Sequence, residues 1–298
     1  ADLRVLDPSA FPKRVVEPVP LDGLPPETPE LALATMLADY GALREQRVAR
    51  LPAKERAQSR LVFSGLQQRL LSSVAAFART LEAHKRGLER TAAAAGDLAA
   101  RQFAGQSLQD SDGAQSPLLD DEAQAEALAK EEERLAELAS SVGSAEPDQL
   151  EKEKAAAEAM LALARRHAGG PDERARWIIQ WVRDNCLTDG VWNDRRLLIF
   201  TEYEDTRRWL QKQLLVHLDD ADISEGRLAT YTGATGEDTR EAVKRAFNAD
   251  PKVGPLRILL CTDAAREGVN LQMHCADLIH FDLPWNPMEI EQRIGRLH

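Results

Sequence analysis

Beyond Pro171 four short apolar runs recur, LLIF (197–200), LATY (228–231), RILLC (257–261) and LIHF (278–281). Helical periodicity fills 204–217 and 237–248, and a last helix is predicted from Pro287. Strands that alternate with helices predict a parallel sheet covered on both faces. Such sheets bind ligands beyond the carboxyl ends of their strands. Polar residues stand there: Thr201-Glu202 after the first run, Thr232-Gly233 after the second and Thr262-Asp263 after the third. A further helix, ERARWIIQWVRDN, precedes the first run and gathers Trp177, Ile178, Trp181 and Val182 on one face.

The first part of the chain reads differently. Residues 1–30 are Pro-rich, and Val15, Val16 and Val19 suggest a short strand that prolines confine to an edge. Thr28-Pro29 has the form of a helix start. Leu66, Leu70, Val74, Phe77 and Leu81 recur at three- and four-residue steps, as one long helix or as two with Ser72-Ser73 capping the second. Residues 104–121 lack periodicity and are rich in Gly, Ser, Asp and Gln, which predicts a flexible loop. Two charged amphipathic helices are expected within 122–166. The division is an extended lead at 1–30, an all-helical region at 31–170 and an α/β lobe at 171–298.

Composition narrows the function classes. The 298 residues are 43% hydrophobic, enough for a core, and the net charge of −11 does not advertise nucleic-acid binding, although it leaves room for a local basic groove. Three cysteines without CxxC spacing fit a reducing, cytoplasmic setting and argue against zinc. No apolar run reaches membrane-spanning length.

Two stretches carry chemistry. In ILLCTDAAREGVNLQ (258–272), the Thr262 hydroxyl can bond a phosphate oxygen, Gly268 permits close backbone approach, and Asn270 can bond a ribose hydroxyl. In DLPWNPMEIEQRIGRLH (282–298), Arg293 and Arg296 stand three apart on one helix face, and arginine offers a planar fork suited to phosphate.

These stretches, with LLIFTEYEDTRRWLQKQL and TYTGATGEDTREAVKRAF before them, resemble in order the second RecA-like lobe of superfamily 2 helicases. The resemblance is nearest to the bacterial Swi/Snf-type DNA translocases, in their RNA-polymerase-associated or phage-defence-like branches. It covers about 100 residues at the C-terminus. A shorter likeness at 11–20 is to the segment that leaves the first lobe, so 1–30 would be an interlobe linker and 31–170 the family's helical insertion.

The resemblance implies that Gln292, Arg293 and Arg296 face a triphosphate across an interlobe cleft, where arginine stabilises charge on the γ-phosphate. It implies that Glu267, Gly268 and Asn270 border the nucleotide. It places Thr201, Tyr203, Arg207, Thr232 and Thr262 along the nucleic-acid track. ATP with Mg2+ would be the cofactor, and duplex DNA and a first RecA-like lobe the partners. The helical insertion would serve a protein partner.

No GxxxxGK[ST] phosphate loop occurs in the chain, and DDEA (120–123) follows a loop rather than a strand, so no Mg2+ ligand is expected here. The motif at the end breaks off before a second arginine that the resemblance implies. The expectation is therefore a fragment of a larger enzyme, inactive alone. Two other readings stay open at this point: a non-catalytic module that docks a protein through its acidic helices, and the lobe of an RNA helicase.

Overall fold

The computed structural model describes residues 14–49, 52–96, 130, 133–134, 137, 147–232, 236–262, 271, 273–284 and 287–296. The loop at 104–121, Glu267, Gly268 and Asn270 lie outside them, as does most of the first acidic helix.

Four long helices form the first layer: α1 (Pro29–Val48), α2 (Ala53–Ser72), α3 (Val74–Gly96) and α4 (Pro147–His167). Pro29 opens α1, where its missing N–H costs nothing. Thr28 holds the capping position, but its hydroxyl donates back to the Pro25 carbonyl at 2.6 Å. The apolar repeat beyond residue 52 resolves into two helices, because Ser73 adopts an extended backbone and interrupts the spiral. The Ser73 hydroxyl then accepts from Ala76 N–H at 3.0 Å and caps α3. Leu33, Leu37, Leu66, Phe77, Leu81, Leu88, Met160 and Leu161 close the core between the four helices. A fully buried leucine of this kind contributes about 1.5–3 kcal/mol.

Residues 14–20 form no strand. Pro18 and Pro20 cannot donate to a ladder, and Val15 and Val16 are exposed with nothing to cover them.

The second layer begins with α5 (Glu173–Cys186), whose N-cap Asp172 accepts from Ala175 N–H at 2.7 Å. A two-residue hairpin follows, β1 (Leu187–Thr188) against β2 (Val191–Trp192). Asp189 and Gly190 turn it with φ of 51° and 80°, the left-handed pair of a type I′ turn. The main sheet comprises β3 (Leu197–Thr201), β4 (Leu228–Tyr231), β5 (Ile258–Thr262) and β6 (Asp277–His280). Its order is β4-β5-β3-β6 and every pair is parallel. The helices are α6 (Glu204–His217), α7 (Glu237–Asn248) and α8 (Pro287–Ile294).

All five residues of both central strands, β3 and β5, are buried, as expected for strands with helices above and below. The period of two divides them between the faces. Leu197, Ile199, Ile258 and Leu260 pack with α5 and α6, and Leu198, Phe200, Leu259 and Cys261 pack towards Phe247 of α7. Cys186, Cys261 and Cys275 are buried thiols in no disulfide; burial raises Cys186 and Cys275 to about 12.

Candidate nucleotide wall and nucleic-acid face

The parallel register brings Thr201 and Thr262 side by side at the carboxyl ends of β3 and β5. Thr232 follows β4 at the same end, and Asp282 follows β6. All four are buried.

Asp282 gathers the neighbouring donors. Its Oδ2 accepts from Thr201 Oγ1 at 2.8 Å and from Ser72 Oγ at 2.5 Å, and its Oδ1 accepts from Glu202 N–H at 2.7 Å. Arg293 Nη1 donates to the Asp282 carbonyl at 2.8 Å, and Nη2 stands 3.9 Å from Oδ1. The same guanidinium lies 5.5 Å over the Phe200 ring and 3.4 Å from His280 Nδ1. Arg293 is 2% exposed, so it anchors α8 to the sheet.

Gln292 on α8 and Arg296, two residues past its end, differ from Arg293. Gln292 is exposed and Arg296 is half-buried. No ion pair engages the Arg296 guanidinium among the described residues. Its backbone carbonyl accepts from Leu271 N–H at 3.1 Å, which ties the end of α8 to the chain emerging from the loop after β5. A half-exposed guanidinium beside an exposed amide supplies the donors that a phosphate group needs. The chemistry of these side chains is compatible with a phosphate ligand. Among the described residues no three His, Cys, Asp or Glu side chains gather where they could hold a metal ion.

The residues expected along a nucleic-acid track are placed as follows. Thr262 and Thr232 sit at the strand ends, whereas Thr201 is fully buried and spends its proton on Asp282. The Tyr203 ring lies 3.8 Å beneath the Arg69 guanidinium of α2, and its hydroxyl donates to Gln68 Oε1 at 3.2 Å. Burial pushes the Tyr203 phenol upward, with Glu202 adding to the shift. Arg207 is held by Glu204 through bonds of 2.6, 2.9 and 3.0 Å and is 7% exposed. In this conformation Thr201, Tyr203 and Arg207 therefore face protein rather than an outside phosphate.

Spacing did not reveal Asp282 or Arg69, and it marked Ser72 only as part of a helix boundary. Asp282 does carry a local signal, a carboxylate directly after an apolar strand, in the same position that singled out Thr201 and Thr262.

A four-stranded parallel sheet with polar groups at its carboxyl ends and an arginine-bearing helix beside them defines a RecA-like lobe. Comparison with known proteins narrows the class: residues 181–298 match the helicase conserved C-terminal domain. The Bacillus subtilis protein described as an uncharacterized ATP-dependent helicase YqhH is 38% identical over 105 residues, which are 35% of this chain and 16% of that protein. The RNA polymerase-associated protein RapA of Vibrio atlanticus is 30% identical over 126 residues, 42% of this chain and 11% of that protein. RapA of Yersinia enterocolitica is 54% identical over 41 residues, 14% of this chain and 4% of that protein. The chain thus spans less than a fifth of the length of these relatives. The domain match and these relatives support a superfamily 2 helicase C-terminal lobe at residues 181–298, preceded in this chain by a helical region. Among the described residues no helix is long and apolar enough to cross a membrane.

Proposed function

We propose that this chain supplies the second motor lobe of a Swi/Snf-type translocase that moves on duplex DNA at the expense of ATP. The observation that carries the reading is the contrast at the end of α8. Arg293 is locked inward on Asp282, while no ion pair among the described residues engages the guanidinium of Arg296, whose backbone carbonyl meets Leu271. Arg296 and Gln292 would face the γ-phosphate, and the β5 loop with Glu267, Gly268 and Asn270 would border the nucleotide.

A bound ATP supplies the phosphoanhydride whose hydrolysis drives the cycle, with Mg2+ and the phosphate-gripping loop coming from a first lobe outside this chain. The part played by these residues is electrostatic, since charge spreads over the transferred phosphoryl oxygens and a fixed guanidinium stabilises it. Thr262 and Thr232 are the backbone-contacting candidates of this lobe. Contacts of that kind position a nucleic acid without reading its sequence. The names of the RapA relatives support a setting near RNA polymerase, and the helical region would provide the docking surface.

The test is ATP turnover by the two-lobe protein carrying this chain, stimulated by duplex DNA or by RNA. Duplex DNA should stimulate strongly and RNA weakly; the reverse order would replace the translocase with an RNA helicase. The chain alone should show no turnover, and DNA-dependent hydrolysis by the isolated chain would defeat the reading.

A further inference from the structure

The break between α2 and α3 reaches into the motor lobe. Ser72 and Ser73, at 1% and 0% exposure, both contact the Thr206 hydroxyl of α6, at 2.7 and 2.8 Å. Ser72 also meets the Asp282 carboxylate. A carboxylate only accepts, so the Ser72 proton points at Asp282. Thr206 must then donate to Ser72, and Ser73 to Thr206, while Ser73 accepts from Ala76 N–H. The result is a one-way chain of hydrogen bonds from the first turn of α3 to Asp282, fully buried and without a spare partner at either serine. Such chains are mutually reinforcing and tolerate little rearrangement.

Two further contacts brace the same junction. Arg79 of α3 donates to Asp205 Oδ1 at 2.8 Å, and Arg69 of α2 covers Tyr203. Asp282 in turn holds Arg293, which sets the rotation of α8 and hence the direction in which Gln292 and Arg296 face.

We propose that Asp282 is a positioning residue through which the helical region grips the nucleotide wall, the Ser72–Ser73 break holding its carboxylate while its backbone carbonyl accepts from Arg293 and its carboxylate faces the same guanidinium. The inference rests on the reading that Arg296 faces the triphosphate. Movement of the helical region would then alter the aim of Arg296, and anything docked on that region would tune the motor. Catalytic placement is sensitive at this scale, since a shift of about 1 Å can cost roughly a hundredfold in rate.

The experiment is steady-state ATP hydrolysis with duplex DNA by the two-lobe protein, comparing wild type with Ser72→Ala, Asp282→Asn and Arg296→Ala. Asparagine keeps the shape of Asp282 but offers N–H groups on one arm, where the present neighbours donate. Asp282→Asn should lower kcat by about tenfold or more, and Ser72→Ala by about threefold, with KM for ATP unchanged. A merely structural role would lower the melting temperature and leave the kcat of the folded protein intact. Should Asp282→Asn fail to fold, Ser72→Ala carries the test, because it removes one oxygen from a buried helix end. Wild-type kcat in the folded variants, with Arg296→Ala inactive, would overturn this inference and leave the proposed function standing. Wild-type kcat in Arg296→Ala would overturn both.

Discussion

Leu271 N–H donates to the Arg296 carbonyl at 3.1 Å. That one backbone bond joins segments from two strand–helix connections, the exit of the loop after β5 and the end of α8. It brings those two segments against one another. Because the bond uses the main chain, it leaves the Arg296 guanidinium uncommitted.

Arg293 and Arg296 should therefore respond oppositely to truncation. Arg293→Ala removes the partner of a buried carboxylate and a bond to the Asp282 carbonyl, and should destabilise the fold by on the order of 2–3 kcal/mol. Arg296→Ala keeps the Leu271 bond and should stay within about 0.5 kcal/mol of wild type. Denaturant unfolding of the two variants checks this; equal losses would show that Arg296 is also structural.

The spacing of three predicted both arginines on one helix face and could not separate them, whereas α8 ends at Ile294 and Arg296 lies in the turn beyond it. Their difference depends on what lies beneath α8, and that surface is built by Asp282, Phe200 and His280, residues that local pattern does not bring together. The strands were readable because the apolar runs of β3 and β5 are buried on both faces, a requirement local enough to leave a mark. The β1–β2 hairpin went unread because two-residue strands have no measurable alternation, although Asp189-Gly190 held its turn signal. Ser72 was visible as a helix interruption, but its bond to Asp282 spans 210 positions and no periodicity encodes it.

His84 makes the helical layer sensitive to acid. It is 1% exposed, its Nε2 lies 2.5 Å from the Tyr40 hydroxyl, and Arg44 and Arg47 stand nearby, with Glu153 on the far side of the arginines. Burial first, and then the two guanidiniums, hold its imidazole well below the usual 6.5. The unfolded chain takes up a proton near 6.5 and the folded chain resists it. Stability from this group is thus complete above that pH and is lost as pH falls below it, by up to about 1.4 kcal/mol per pH unit. Chemical unfolding at about pH 7.5 and about pH 5.5 should show a steeper loss in wild type than in His84→Gln. Parallel losses would show that His84 titrates normally.

Among the described residues, Glu153 is the carboxylate set between Arg47, at 2.6 Å, and Arg44, at 3.7 Å, all three being nearly inaccessible. Glu153→Ala would strand two buried guanidiniums and should cost about 3–5 kcal/mol. Glu153→Gln retains an acceptor for Arg47 and should cost less. The difference between the two, read from urea midpoints at constant slope, measures the charge apart from the hydrogen bond; identical midpoints would mean that the charge contributes nothing.

Nucleic-acid binding should depend on both lobes. Arg207 is committed to Glu204, Arg69 and Arg79 to Asp205, and Arg293 to Asp282, so these four cations are already neutralised within this chain. With a net charge of −11 over the whole sequence, the chain alone should bind duplex DNA weakly. Each phosphate neutralised contributes about 0.9 to the slope of log affinity against log salt, so the isolated chain should give a shallow slope and the two-lobe protein a steep one. Fluorescence anisotropy on a labelled duplex, from about 50 to about 200 mM salt, distinguishes them. A steep slope with tight binding by the isolated chain would mean that phosphate contacts come from side chains other than these arginines, and would move the nucleic-acid face away from the carboxyl ends of β3 and β5.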